Sequence, residues 1–235
     1  MERSLKAILV TDMVGYSRLM AWNETEIYSR QKEIRAKLID PTIHEYNGRV
    51  IKSTGDGVLA IFDSVVDALR CAVTIQFKMI EHEKGRNPDQ SIVFRIGVNL
   101  GDIILEKHDI YGDGVNLASR LVPIAEPGGI CVSKTVVDHV QGRVSSGFDD
   151  LGEMDLKNIP GLARVYRVDM AAEKPASKTG ALSIGEYSYD RSTGMITDSD
   201  GTIVHMRKQS QQVLAILAEE PGTIVSKEKP TKLFK

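Results

Sequence analysis

Residues 49–54 and the wholly apolar 58–62 are strand-length runs, and between them Gly55-Asp56-Gly57 sets a carboxylate between two glycines. That pattern marks a tight β-hairpin with an acid at its tip. The segments on either side must fit around it. Upstream, residues 6–11 form a short apolar run that ends at Asp12 and reads as a buried strand. Asn23, with Glu26 three residues on, predicts a helix N-terminus. Ile27, Gln31, Ile34 and Leu38 then recur at helical spacing towards Tyr46, and Pro41 divides the helix. Downstream, Ser64 caps a second long helix with Val65, Leu69, Ala72, Val73, Phe77 and Ile80 on a wide apolar face, ended by Glu81-His82-Glu83-Lys84-Gly85. Residues 92–98 read as a strand, and 102–106 as a further apolar run after Gly101.

The order strand, helix, hairpin, helix, strand predicts an α+β fold. Its core is ferredoxin-like, βαββαβ, with extra C-terminal strands and helices and a small C-terminal α+β segment after it. In such a sheet the third strand lies between the first two and antiparallel to both, so Asp56 faces Asp12 across neighbouring strand ends. Two carboxylates held together repel unless a proton or cation intervenes, and hard divalent ions such as magnesium prefer oxygen ligands. The pair is therefore a candidate metal site; a solvated turn aspartate is the plainer alternative.

Residues 115–125 read as a short helix after Tyr111-Gly112-Asp113-Gly114, with Asn116 and Arg120 at i,i+4 on one face. Residues 129–133 read as a strand, 134–140 as a helix, and 151–156 with 164–168 as a closing strand pair whose loop carries Lys157. Residues 1–170 thus make one domain. Residues 171–181 are a linker by composition, and 182–235 form a second unit with strands in 182–189 and 202–206 and a helix over 210–219.

The formal charge of −2 makes no demand for nucleic acid or an anionic membrane. Cys71 and Cys131 sit apart in apolar runs, which fits core residues in a reducing compartment. The apolar runs are too short to cross a bilayer, so the chain is expected to be cytoplasmic, with no membrane partner. The five histidines lack zinc-site spacing, and the two commonest Gly-rich phosphate loops are missing.

Asp12 in Thr-Asp-Met-Val-Gly-Tyr-Ser, Asp56 in Ser-Thr-Gly-Asp-Gly, and Asp109-Ile110-Tyr111-Gly112 through Val115-Asn116-Leu117-Ala118-Ser119-Arg120 together resemble the class III nucleotidyl cyclase catalytic domain, over residues 5–168. The resemblance implies an adenylate cyclase that makes 3',5'-cyclic AMP and pyrophosphate from ATP, with two divalent ions (magnesium or manganese) held by Asp12, Asp56 and the carbonyl of Met13. It assigns Asn116 to the ribose, Arg120 to the charge on the α-phosphate and Lys157 to the terminal phosphates. Lys52 and Asp109 fall where adenylate-type members read adenine, a lysine donating to N1 and an aspartate accepting from the 6-amino group. Guanylate cyclases, the family alternative, typically have glutamate and a small residue there. The family's active form is a head-to-tail dimer with shared sites, so a homodimer is expected. Val10 and Met13 replace the family's usual phenylalanine and isoleucine. A catalytically silent nucleotide-binding or dimerisation module, and a transcription regulator that senses ATP, are the other readings. The tail resembles the front part of a response-regulator winged helix, but DNA binding by this chain is not expected because a recognition helix and wing do not follow.

Overall fold

A computed structural model describes residues 2–53, 55–106 and 109–170, and beyond these 182–184, 187–189, 196–198, 202, 204 and 210. The chain divides into two compact units, Met1–Pro175 and Ala176–Lys235. The first runs β1 (Glu2–Met13), α1 (Tyr16–Ile34), α2 (Asp40–Glu45), β2 (Arg49–Ser53), β3 (Val58–Phe62), α3 (Val65–His82), β4 (Phe94–Leu105), β5 (Ile110–Tyr111), α4 (Asp113–Leu121), β6 (Ile130–Ser133), α5 (Lys134–Val140), β7 (Gly147–Asp155) and β8 (Leu162–Asp169). The strands lie in the order β2-β3-β1-β4-β6-β8-β7, with β5 paired to β4 off this path. As strand order predicted, β3 lies between β2 and β1 and is antiparallel to both.

Alternation along the strands gives each sheet face its own core. Ala7, Leu9, Met13, Ala60, Phe62, Phe94 and Ile96 turn towards α1, α2, α3 and α5. Ile8, Val10, Leu59, Ile61 and Ile103 turn the other way and pack with Ile110 and with Ala118 of α4. Cys71 and Cys131 are both buried, as expected of core residues.

The helical layer departs from expectation in three places. α1 begins at Tyr16, behind a left-handed Gly15 that supplies no side-chain cap. Asn23 still acts as a cap inside it: its backbone is non-helical (φ −158°, ψ 90°), and its Oδ1 accepts the Glu26 N–H at 3.2 Å. Ahead of Pro41 the chain widens into a π-helical turn, Arg35–Ile39, before α2, because proline has no N–H to continue the α-helical ladder. In α3, Ser64 caps as expected, but Ile80 is exposed, and Met79 beside it enters the core.

The two runs expected at 92–98 and 102–106 form one strand. β4 pairs with β1 along its whole length, from Glu2↔Leu105 to Met13↔Phe94. Its glycines serve α4 rather than breaking the strand: a Cβ on Gly97 would lie 2.4 Å from the Ala118 carbonyl oxygen, and one on Gly101 would lie 3.0 Å from the Gly114 Cα. Gly97→Ala is therefore expected to push α4 outward and cost about 2 kcal/mol, read as a lower denaturation midpoint. An unchanged unfolding curve would refute this close approach.

Described by itself, the second unit contains a small antiparallel sheet of β9 (Leu182–Ile184), β10 (Tyr187–Tyr189) and β11 (Ile196–Thr197), in the order β11-β10-β9. The expected linker over 171–181 lies outside the described residues, as do the expected helix over 210–219 apart from residue 210 and most of the strand expected at 202–206. Among the described residues, no helix is long and apolar enough to cross a membrane.

Candidate functional site

The site starts where the β1–β3 ladder gives out. Val10↔Leu59 is the last registered pair, and at the next step the Val58 N–H donates to Thr11 Oγ1 at 3.0 Å. Just beyond, the side chains of Asp12 and Asp56 come together, close enough for each carboxylate to feel the other's charge. Burial raises the Asp12 carboxyl above its ordinary range, the neighbouring charge of Asp56 raises it further, and Arg95 opposes both. Arg95 is the register partner of Asp12 on β4, and its Nε is buried without a hydrogen-bond partner among the described residues.

This donor set fits a hard divalent cation. Both side chains offer oxygen, and the repulsion between them is what such an ion would relieve. Met13 is 2% exposed and its side chain packs into the helix-side core, so only its carbonyl can serve the site. Among the described residues, no group of three or more His, Cys, Asp or Glu is placed to hold a metal. Further ligands would be backbone oxygens, water or the oxygens of a bound molecule.

Lys52 owes its direction to a β-bulge. Val50 pairs with Ala60 but Lys52 pairs with Leu59, leaving Ile51 as the extra residue. Directly opposed residues share a face, so Lys52 turns to the side of Leu59, the α4 side. Without the bulge it would oppose Val58 and face the helices. The β4–β5 hairpin, paired Ile104↔Tyr111 and Leu105↔Ile110, carries Asp109 to the same side. Lys52 Nζ donates to Asp109 Oδ2 at 2.7 Å. That bond, together with the Ile110 N–H on Asp109 Oδ1 at 2.8 Å, holds the Asp109 carboxyl below its usual range.

α4 lays Gly114 and Ala118 on β4. Asn116 and Arg120 each lie two positions further on, about 200° around the helix axis, and so point away from the sheet. Asn116 is exposed. Arg120 Nε donates to the Lys157 carbonyl oxygen at 3.0 Å, tying the β7–β8 loop to the last turn of α4, with the Lys157 side chain exposed.

The structure thus brings together Asp12 with Asp56, Lys52 with Asp109, and Arg120 with Lys157. Sequence reasoning passed over Arg95 and Thr11. A charge between Phe94 and Ile96 within an apolar strand was the available signal for Arg95; Thr11 gave none. The thiols lie apart from this chemistry, since burial pushes Cys131 up to about 11 and Cys71 upward as well.

Residues 4–170 match the family described as Adenylate and Guanylate cyclase catalytic domain. A Rhizobium meliloti (strain 1021) protein named "Putative adenylate cyclase 3" is 38% identical over 207 residues, 82% of this chain and 35% of its own length. The chain thus spans about a third of that relative. A crystal structure of an adenylate/guanylate cyclase/hydrolase from Silicibacter pomeroyi is 51% identical, with a TM-score of 0.68, covering 71% of this chain and 97% of that one. The adenylyl cyclase CyaB from P. aeruginosa shares the fold at 22% identity, with a TM-score of 0.61 over 72% of this chain and 96% of its own.

Proposed function

The chain belongs to the adenylate and guanylate cyclase catalytic domain family, and on that premise we propose that it is an adenylate cyclase working as a head-to-tail homodimer with shared sites. The observation that carries the choice of base is the Lys52–Asp109 pair at 2.7 Å. An ammonium and a carboxylate side by side present a donor and an acceptor in the order that adenine's N1 and 6-amino group require. Guanine, with a 6-oxo group and an N1–H, presents the opposite order.

In the reaction proposed, the ribose 3'-oxygen attacks the α-phosphorus, its proton passes to solvent water, and the bond from the α-phosphorus to the bridging oxygen breaks to release pyrophosphate. Two divalent ions, magnesium or manganese, held by Asp12, Asp56 and the Met13 carbonyl, would supply activation of the 3'-hydroxyl and neutralisation of the triphosphate. Asn116 orients the ribose through its neutral amide. Arg120, steadied through Nε by the Lys157 carbonyl, offers its remaining N–H donors to the charge that grows on the α-phosphate. Lys157 meets the terminal phosphates as a mobile point charge. With no conventional base in the set, rate comes from positioning and charge stabilisation.

ATP and GTP offered separately with manganese or magnesium test this reading. ATP should yield cyclic AMP and pyrophosphate in equal amounts, and GTP should react at least about tenfold more slowly. Nucleotide binding without product under both metals would replace the enzyme by a silent module, and faster turnover of GTP would overturn the choice of base.

A further inference from the structure

Gln31 lies in the buried stripe of α1, one turn from Ile27 and from Ile34 and beside the buried Arg30, a polar amide only 5% exposed. A buried amide must find a partner. This one donates from Nε2 to the carbonyl oxygen of Gly55 at 2.8 Å. We propose that Gln31 is a positioning residue for Asp56, fixing the peptide that enters it and so aiming its carboxylate at Asp12. The proposal rests on the reading of Asp12 and Asp56 as cation ligands.

The Gly55 carbonyl and the Asp56 N–H belong to one planar group. Holding that oxygen holds the plane, and with it the direction in which Asp56 leaves the backbone. Packing does not do this, because Gly55 takes a left-handed φ of 85° and nothing lies within 4 Å of where its Cβ would be. On the far side of Asp56, the Val58 N–H is held by Thr11, the residue before Asp12. The carboxylate is therefore bracketed by two side-chain hydrogen bonds.

The grip is itself anchored. Arg30, next to Gln31, pairs through Nη2 with Glu83 Oε2 at 2.6 Å and through Nη1 with the Gln90 carbonyl at 3.0 Å. The same Glu83 oxygen accepts the Ile92 N–H at 2.9 Å, just ahead of β4. α1 is thus pinned at this turn to the segment leading into β4, the strand that carries Arg95. A neutral donor also suits the position, since a lysine reaching the same carbonyl would set a positive charge near the carboxylates and oppose a cation.

Manganese alone, titrated calorimetrically into the full chain, tests the proposal. The unaltered chain should bind it, and Asp56→Asn, the reference, should not. Gln31→Met, which keeps length and removes the donor, should bind about tenfold more weakly, as loss of a group that orients a metal ligand does. The manganese concentration that half-saturates ATP turnover should rise by the same factor, and excess manganese should restore most of the turnover. A merely structural role would lower the folded fraction and leave both midpoints in place, which overturns the proposal. Binding by Gln31→Met equal to the unaltered chain overturns it also. Gln31→Leu repeats the test if the Met variant fails to fold, and failure of both would make Gln31 a folding residue only. No binding by the unaltered chain would overturn the cation reading itself.

Discussion

Asp12→Asn is expected to make the metal-free chain more heat-stable while cutting cyclic AMP formation by about three orders of magnitude, the scale on which loss of one preorganised electrostatic contact acts. Both effects come from one cause. Burial and Asp56 raise the Asp12 carboxyl above its ordinary 3.8, so the folded chain keeps a proton there at pH values where the unfolded chain has released it. The stability linked to that proton is fully present below the unfolded value and is lost as pH rises through the raised folded one. Asparagine has no charge to bury or to set against Asp56, so the variant escapes this loss. Its advantage should be greatest above the folded-state value and shrink as pH falls towards 3.8. Manganese should reverse the order by binding the folded wild type and not the variant. Thermal unfolding across a pH series, with and without manganese, reads all of this. A metal-free variant no more stable than wild type at pH 7, or one that retains full activity, would rule out Asp12 as a strained cation ligand.

That strain was legible in the sequence because it follows from connectivity. Once residues 49–62 are a hairpin and the flanking segments alternate, β3 must lie between β2 and β1, and Asp56 must come up beside Asp12. The direction of Lys52 was not legible. It depends on the bulge at Ile51, and the run Arg49-Val50-Ile51-Lys52-Ser53 carries no glycine or other mark of an extra residue. The resemblance identified Lys52, and the structure supplies the reason it faces Asp109. The start of α1 was hidden because Gly15 begins the helix with no side-chain cap, whereas Asn23, a true cap, marks only a kink inside it. The division of β4 at Gly101 was misread for a related reason. Glycine is a strand breaker by propensity, but here it is the space that lets α4 approach. Gln31 was visible as a residue in the helical stripe, yet only the fold gives its amide a partner.

Chains carrying Asp12→Asn and chains carrying Arg120→Ala should each be inactive, and after subunit exchange an equal mixture should recover about one quarter of wild-type activity. The geometry of α4 drives this expectation. Gly114 and Ala118 face the sheet that bears Asp12, so Arg120, about half a turn around the helix from Ala118, is directed away from the carboxylates of its own chain. Its guanidinium is moreover tethered to the Lys157 loop. A site that needs both groups must then take them from two chains, in a symmetric pair in which each chain lends its carboxylates to one site and its arginine to the other. Random exchange makes half the dimers mixed, and each mixed dimer has one intact site and one doubly impaired site, which gives the quarter. An equal mixture of Asp12→Asn and Asp56→Asn chains is the control. Both lesions fall on the carboxylate side, so every composite site keeps one and the mixture should stay inactive. If the first mixture remains inactive after proven exchange, the carboxylates and Arg120 act within one chain and the shared site is wrong; if the control recovers, Asp12 and Asp56 of one site come from different chains and the single carboxylate side is wrong.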